Sequence, residues 1–344
     1  MTAPRTSRPL VGVGLVLAAG VLFAVNGTAS KAVLGSGLDA LRLVQIRCTL
    51  AAVGFAVIAL VRAPRSLAVG RRQVGFLVLY GIVGVAMVQW LYLAAIARMP
   101  VSVALLIEFT APLLVALWSR FVRHEPVRGR VWAALVLVLG GLALVAQVWS
   151  GLTLDGVGLV FAGTAAVSLA GYYLMGERGL DGRDPISLAT WSFTAASVFW
   201  AVLLPWWRYP SGRLGARAAI GGGLVPAGSV PVWALVAWIV LLGTVAPFGL
   251  AFAGLRRIGA TRSGLVGTAE PPLAGLVAWA VLGETLSPVQ LLGSGVVLAG
   301  ILLAETARTP HAPGVGGPGT PDADPVPAGS DRRARAVPVR RPEP

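Results

Sequence analysis

Charged residues are scarce in this 344-residue chain, since Asp, Glu, Lys and Arg make up only 12% of it against 56% hydrophobic residues. Soluble domains carry about 25% charged residues, so the chain has about half the charge that covers a globular surface. The mean hydropathy of +0.79 agrees with this deficit. The composition therefore excludes an ordinary soluble protein and predicts an integral membrane protein.

Residues that build disulfides, metal centres and nucleophilic active sites are nearly absent. Cys48 is the single cysteine, and His124 and His311 are the only histidines. These residues cannot form a disulfide framework, a thiolate metal site or a Ser/His/Asp triad. Lys31 is the only lysine, and no phosphate-binding loop of the Gly-x-x-x-x-Gly-Lys-Ser/Thr type occurs. We therefore predict no cofactor, no metal and no nucleotide hydrolysis.

The chain has instead a series of long apolar runs. Helices of about 17 to 25 apolar residues cross the roughly 30 Å of hydrocarbon in a bilayer. We predict an all-α integral membrane fold with ten transmembrane helices, the first of them retained as an anchor and not removed as a signal peptide. The ten predicted spans are residues 10–29, 39–61, 73–96, 101–119, 131–148, 155–175, 186–206, 231–254, 262–282 and 288–305.

The net charge of +14 is distributed unevenly between the two sides of these spans. With the N-terminus in the cytoplasm, Arg5, Arg8 and most other arginines fall in cytoplasmic segments, as the positive-inside rule requires. The exception is Arg208, Arg213 and Arg217 in the longest loop. We predict a multi-pass protein of the cell inner (plasma) membrane with both termini cytoplasmic. Because the charge reports orientation, nucleic acid is not a predicted partner.

Residues 307–344 differ in composition, being rich in Pro, Gly and Arg. Such a segment cannot bury enough apolar surface to fold by itself, so a disordered cytoplasmic tail is predicted. Its basic end would contact anionic membrane lipids, at about 1 kcal/mol per residue near the surface. A solvated tail without a specific task is the alternative.

A repeat of about 160 residues divides the apolar part of the chain. The segment around Glu108 and Pro112 matches the segment around Glu270 and Pro272. Since each copy has five spans, an odd number, the second copy enters the membrane from the opposite side. Two inverted five-helix repeats of this kind are a transporter architecture, with the substrate site near the midplane between them. The predicted domains are residues 1–150, residues 151–306 and the tail 307–344.

Two carboxylates lie inside predicted spans, Glu108 in the fourth and Glu270 in the ninth. A charge near the bilayer centre costs about 2.5 to 3.5 kcal/mol on insertion scales, so each needs a partner, water or a function. Because a proline follows each and removes a backbone donor, both helices are predicted to break where they line a cavity. Glu108 and Glu270 are predicted to bind a substrate amino group or a coupling proton. A structural carboxyl bonded to a neighbouring helix is the alternative.

Three motifs in these two halves occur in the order and spacing of one family. They are Glu108-Phe109-Thr110 with Pro112-Leu113, Thr244 with Pro247-Phe248, and Glu270-Pro271 followed by Leu282-Gly283-Glu284-Thr285-Leu286. In these residues the chain resembles the ten-helix EamA-type proteins of the drug/metabolite transporter superfamily, and within them the threonine/homoserine exporter branch. The resemblance implies export of amino acids, or of similar small metabolites, by alternating access through a central cavity.

Five further residues are candidate substrate contacts. Gln89 and Trp90 on the third span, and Tyr172 on the sixth, match positions where the exporters it resembles have polar or aromatic residues. Asn26 and Thr244 could each offer hydrogen bonds across the cavity. For all five, hydrogen bonding between helices is an equally open role.

The second predicted span carries two arginines, Arg42 and Arg47. Arg42 can extend toward the bilayer surface. Arg47 needs a partner, such as a carboxylate or cavity water. Gln45 and Arg47 also depart from the family pattern, which leaves the substrate open.

Two other function classes stay open on the sequence. An integral membrane enzyme acting on a lipid-linked substrate would use acidic metal motifs in a cytoplasmic loop, and Glu177, Asp181 and Asp184 come nearest to one. Their spacing is loose and two arginines alternate with them, so a solvated loop is the better account. A membrane sensor with the tail as its output is the other class. A transporter without a nucleotide site would be facilitative or ion-coupled, with a proton as the candidate ion.

Overall fold

The structure, a computed structural model, describes residues 9–62, 64–96, 98, 101–147, 149, 155–282 and 287–306. The predicted tail 307–344 lies outside these residues, as do Arg5 and Arg8. The described chain is almost entirely helical. Its helices are α1 (Pro9–Gly35), α2 (Ala40–Arg62), α3 (Arg71–Tyr80), α4 (Val88–Ile96), α5 (Val101–Glu108), α6 (Ala111–Phe121), α7 (Gly129–Ala146), α8 (Gly156–Gly179), α9 (Pro185–Leu203), α10 (Val232–Val240), α11 (Ala246–Gly267), α12 (Glu270–Leu282) and α13 (Pro288–Thr306).

Two of these helix pairs are joined without a loop. A π-helical segment, Gly81–Met87, continues α3 into α4, and a second one, Leu241–Val245, continues α10 into α11. Each pair therefore makes one long rod. In a π-helical segment the backbone hydrogen bonds join residues five positions apart, and such segments are frequent at functional sites. The apolar pattern of the sequence does not distinguish them from regular α-helix.

Among the described residues, seven helical stretches are long and apolar enough to cross a membrane. Two shorter apolar helices, Gly129–Val145 and Pro288–Ala304, accompany them. One of the seven stretches, Val232–Gly267, joins parts of two predicted spans. It contains a kink at Gly259, where φ is 77° and ψ is 173°, so that two helices meet there. The chain is a multi-pass helical membrane protein.

The faces of α2 illustrate why these helices assemble as they do. Val53, Val57 and Leu60 recur at helical spacing and are exposed, although they are apolar. Cys48 and Phe55 lie on the other face and are buried. A helix that is apolar on every side can contact lipid with one face and pack against other helices with the opposite face. In the bundle, α2 packs on α9, α1 on α11 and α12, α4 on α8, and α7 on α13.

The longest loop contains the one clear difference from the predicted all-α fold. Residues 217–220 form strand β1 (Arg217–Ile220) and pair antiparallel with β2 (Gly228–Pro231), with Ala218 opposite Val230. The amide of Leu224, in the hairpin turn, donates a hydrogen bond to the carbonyl of Ala280 at 2.6 Å. The loop is thereby fixed to the end of α12. A short hairpin without a strong alternating pattern gives little sequence signal, which is why it was not predicted.

Candidate functional site

Glu108 and Glu270 lie at breaks in two helices. Glu108 is the last residue of α5, and a two-residue turn separates it from α6. Glu270 is the first residue of α12, after a second two-residue turn. The helix breaks that the prolines predicted are therefore present.

Proline and threonine together account for both breaks. Pro112 and Pro272 cannot donate the backbone hydrogen bond of a regular helix, and their rings crowd the preceding turn. The hydroxyls of Thr110 and Thr268 donate to the carbonyl three residues earlier, at 2.7 and 2.5 Å. These bonds satisfy carbonyls at the end of the first helical segment, so each turn is stable inside the bundle.

The two carboxylates line a cavity of about 1110 Å³ among the helices. Pockets of about 300 to 1,000 Å³ hold drug-sized molecules, so there is room for a small metabolite with water. Lys31 and Asp39, both exposed, lie on its wall between α1 and α2, which places the mouth at that end of the bundle. The polar residues that line it include Asn26, Arg47, Gln89, Tyr92, Glu108, Tyr172, Tyr173, Ser263 and Glu270.

The carboxylates form an acidic region within this wall. Glu108 and Glu270 are close enough for their charges to interact, and Tyr92 and Tyr173 lie within the range of both. Glu108 is only 6% exposed, whereas Glu270 is half-buried. A carboxylate in this position needs a cation, a proton or water beside it. The region is therefore suited to receive an ammonium group.

Three buried acceptor atoms on the cavity wall have no hydrogen-bond partner within the part of the chain that the structure describes. They are Asn26 Oδ1, Gln89 Oε1 and Ser263 Oγ. The amide nitrogen of Gln89 is occupied, since it donates to the carbonyl of Val85 at 3.1 Å. Buried polar atoms are nearly always paired, so these three residues of the wall have hydrogen-bonding capacity that the described residues leave unused.

The other predicted contacts are divided between the cavity wall and its surroundings. Tyr172 lines the cavity, with its ring 6.0 Å from that of Phe248. Trp90 lies behind the wall and packs against Phe161 and Trp200. Thr244 is fully buried and makes its bond with an arginine of the wall.

That arginine is Arg47, whose Nε donates to Thr244 Oγ1 at 2.6 Å and whose Nη2 donates to the carbonyl of Gly243 at 3.0 Å. The partner expected for Arg47 is thus a hydroxyl and a carbonyl on a π-helical segment, not a carboxylate. Arg42 points elsewhere and donates to Gln45 Oε1 at 2.9 Å and to the carbonyl of Pro205 at 3.2 Å.

Sequence reasoning missed Tyr92, Tyr173 and Ser263 as wall residues. Tyr92 lies one helical turn after Gln89, so the 3.6-residue period could have placed it on the same face. Tyr173 follows Tyr172 directly, and both rings reach the cavity. For Ser263 the sequence carries no signal.

The end of the bundle away from the mouth is held together by Glu177 at the end of α8. Its carboxylate accepts a hydrogen bond from Arg123 Nη1 at 2.7 Å and another from the amide of Ala260 at 3.1 Å. The Glu177 bond raises the pKa of Arg123 above its usual range. Asp184 accepts from the amide of Ile186 at 2.9 Å and caps α9. Both acids therefore have structural partners.

A bundle of apolar helices around a cavity lined by two carboxylates, open at one end and closed at the other, is typical of membrane transporters. The chain belongs to the EamA-like transporter family, which it matches over residues 10–147 and 156–306. The family assignment confirms the resemblance and points to a transporter and not to an enzyme.

Two similar proteins are the Threonine/homoserine exporter RhtA of Escherichia coli strain K12 and that of Escherichia coli O157:H7. Each is 30% identical over 223 residues, which is 64% of this chain and 65% of the relative's length. One solved crystal structure aligns with a TM-score of 0.69 and 18% identity, covering 86% of this chain and 96% of that one. At this identity the solved structure shows the fold alone.

Proposed function

We propose that this protein is a secondary transporter that exports small amino compounds through the central cavity by alternating access. The observation that carries the proposal is the pair Glu108 and Glu270 in a cavity of about 1110 Å³, beside unpartnered acceptors of Asn26, Gln89 and Ser263. The carboxylates suit an ammonium group and the acceptors suit N–H and O–H donors. Threonine and homoserine are the leading substrates, because the E. coli relatives are named as their exporters.

Two inverted five-helix repeats, residues 1–150 and 151–306, would build the cavity between them. Two features support this arrangement. The π-helical segments Gly81–Met87 and Leu241–Val245 begin 160 residues apart. The breaks after Glu108 and before Glu270 occupy matching places in the repeat.

A count of ten spans follows if the kink at Gly259 separates the eighth span from the ninth. Gly259 combines a positive φ with an extended ψ, a conformation essentially confined to glycine, which suits it to a tight connection between helices. With this connection, each repeat has five spans, and the odd number gives the inverted topology.

The cavity mouth would face the cell exterior if the N-terminus is cytoplasmic in the plasma membrane. The Arg123–Glu177–Ala260 link would then close the cytoplasmic side. Export requires this link to open so that substrate can enter from the cytoplasm. The tail 307–344, with its contact to anionic lipids, stays a prediction on the same side.

A proton is the candidate coupling ion. An ammonium that leaves Glu108 or Glu270 toward the exterior can be replaced by a proton on the same carboxylate. Return of the proton to the cytoplasmic side would free the carboxylate for the next substrate. Export would then be driven by proton entry.

The proposal is tested by comparing the metabolites that cells release with and without the protein, followed by efflux of the enriched solutes from proteoliposomes. Threonine, homoserine or a related amino compound should be released faster than from protein-free vesicles. Absence of efflux over a broad panel of amino compounds would refute the proposed function.

A further inference from the structure

Arg47 is a buried cation on the wall of the cavity, and the proposed export of amino compounds does not by itself require it. The residue lies two turns into α2 and is half-buried, with the cavity on one side. A guanidinium inside the hydrocarbon region is costly and is found mainly where it has a partner or a function. The other arginine of this helix, Arg42, has its own partners outside the cavity wall.

The guanidinium of Arg47 is held from one side by the segment Leu241–Val245. Pro247 has no N–H to offer the carbonyl of Gly243 four residues earlier, so that carbonyl is free to accept from Arg47. Thr244 Oγ1 accepts the second bond and itself donates to the carbonyl of Ile239 at 2.8 Å. Arg47 is thereby fixed in one orientation.

These two bonds use only part of the donor set of the guanidinium. An arginine has five N–H donors, and within the described residues Nη1 of Arg47 has no hydrogen-bond partner. Arg47 itself is a residue of the cavity wall. A planar guanidinium with free donors binds a carboxylate through two parallel hydrogen bonds, which a lysine cannot do.

The charge of Arg47 is also not neutralised by direct contact with the acidic region. Arg47 and Glu270 influence each other electrostatically, yet in the described part of the chain no ion pair within 4.0 Å joins Arg47 to Glu270 or Glu108. A positive and a negative group thus stand apart on the wall of one cavity. A cavity wall with one group of each sign suits a molecule that carries both charges.

We propose that Arg47 binds the carboxylate of an α-amino acid whose ammonium group contacts the Glu108 and Glu270 region. The inference rests on the proposed function and names the chemistry of its substrate, which is a zwitterion. Arg47 is then a specificity-determining residue. The transporter should discriminate against amino compounds that lack a carboxylate.

The test compares efflux of labelled threonine with efflux of threoninol, in which a hydroxymethyl group replaces the carboxylate. The variants are Arg47→Gln, Arg47→Lys and, as a matched control on the same helix, Arg42→Gln. In the wild type and in Arg42→Gln, threonine should be preferred. In Arg47→Gln, the KM for threonine should rise roughly 10- to 100-fold, as expected for loss of a hydrogen bond to a charged group, while threoninol efflux changes little.

Arg47→Lys keeps the positive charge and provides the test if Arg47→Gln does not fold. It should recover part of the preference for threonine, with a KM between those of the wild type and Arg47→Gln. Equal losses for threonine and threoninol, or an unchanged preference in both Arg47 variants, would overturn the assignment and leave the proposed function standing. A wild-type protein that moves neither solute would refute the proposed function, and the assignment with it.

Discussion

The contact between α7 and α13 provides a quantitative test of the bundle. A Cβ atom added at Gly141 would lie 2.8 Å from the carbonyl oxygen of Gly293 and 2.8 Å from the backbone nitrogen of Val297. Ordinary contacts of a Cβ begin at 3.4 Å, so α13 would have to move by about 0.6 Å. Because the obstructing atoms belong to the backbone, no change of rotamer relieves the clash.

The variant is Gly141→Ala, and Gly140→Ala is its control, since no atom lies within 4 Å of a Cβ at that exposed neighbour. Both substitutions gain the same helix propensity, up to about 1 kcal/mol. Overpacking costs about 1 to 3 kcal/mol, so Gly141→Ala should be the less stable variant by about this amount. At about 2 to 4 °C per kcal/mol, its melting temperature should be roughly 2 to 12 °C lower.

The assay is thermal unfolding in detergent, with the folded fraction measured by size-exclusion chromatography after each heating step. Equal melting temperatures for the two variants would refute the close packing of α7 on α13. A lower melting temperature for Gly140→Ala would contradict the assignment of the inward and outward faces of α7.

Two further predictions concern the cavity wall and a helix end. Gly243→Ala should slow threonine efflux in a proteoliposome assay, because the added Cβ would collide with Asn26 Oδ1 on the wall. The control Gly27→Ala adds a methyl group to open space in the same cavity and should not slow efflux. Equal rates for the two variants would contradict the assigned contact. Asp155 caps α8, and the hydrogen bond from Arg98 together with the amides of Val157 and Gly158 holds its pKa below its usual range. The stabilisation that the ionised Asp155 gives to the folded protein is therefore complete above the pKa of about 3.9 that aspartate has in the unfolded chain. It is lost as the pH falls through the lower pKa of Asp155 in the folded protein. Asp155→Ala should thus reduce the melting temperature at pH 7 but not at low pH. A reduction that is independent of pH would mean that the charge of Asp155 is not involved.

The sequence was sufficient for features that a single residue type determines. Proline at positions 112 and 272 predicted the helix breaks, since the missing N–H acts locally. Glu108 and Glu270 stood out because a charge in an apolar run is costly wherever the run folds. Both residues line the cavity.

Features that depend on contacts distant in the chain were beyond the sequence. The partners of Arg47 lie on another helix nearly 200 positions away, and nothing local marks Gly243 as the acceptor. Trp90 is next to Gln89 in the sequence, yet only Gln89 faces the cavity, because neighbouring residues on a helix point in directions about 100° apart. Residue type alone does not give the rotation of each helix about its axis. The sequence therefore could not distinguish residues that line the cavity from residues that pack between helices.

The central claim is that the carboxylates of the cavity bind the transported amino compound. It is tested most directly by the initial rate of labelled threonine efflux from proteoliposomes containing Glu108→Gln, with Glu125→Gln as the control at an exposed loop carboxylate. Removing a charged hydrogen-bond partner should slow efflux roughly 10- to 100-fold in Glu108→Gln and leave Glu125→Gln near the wild-type rate. Wild-type efflux by a folded Glu108→Gln protein would contradict the account.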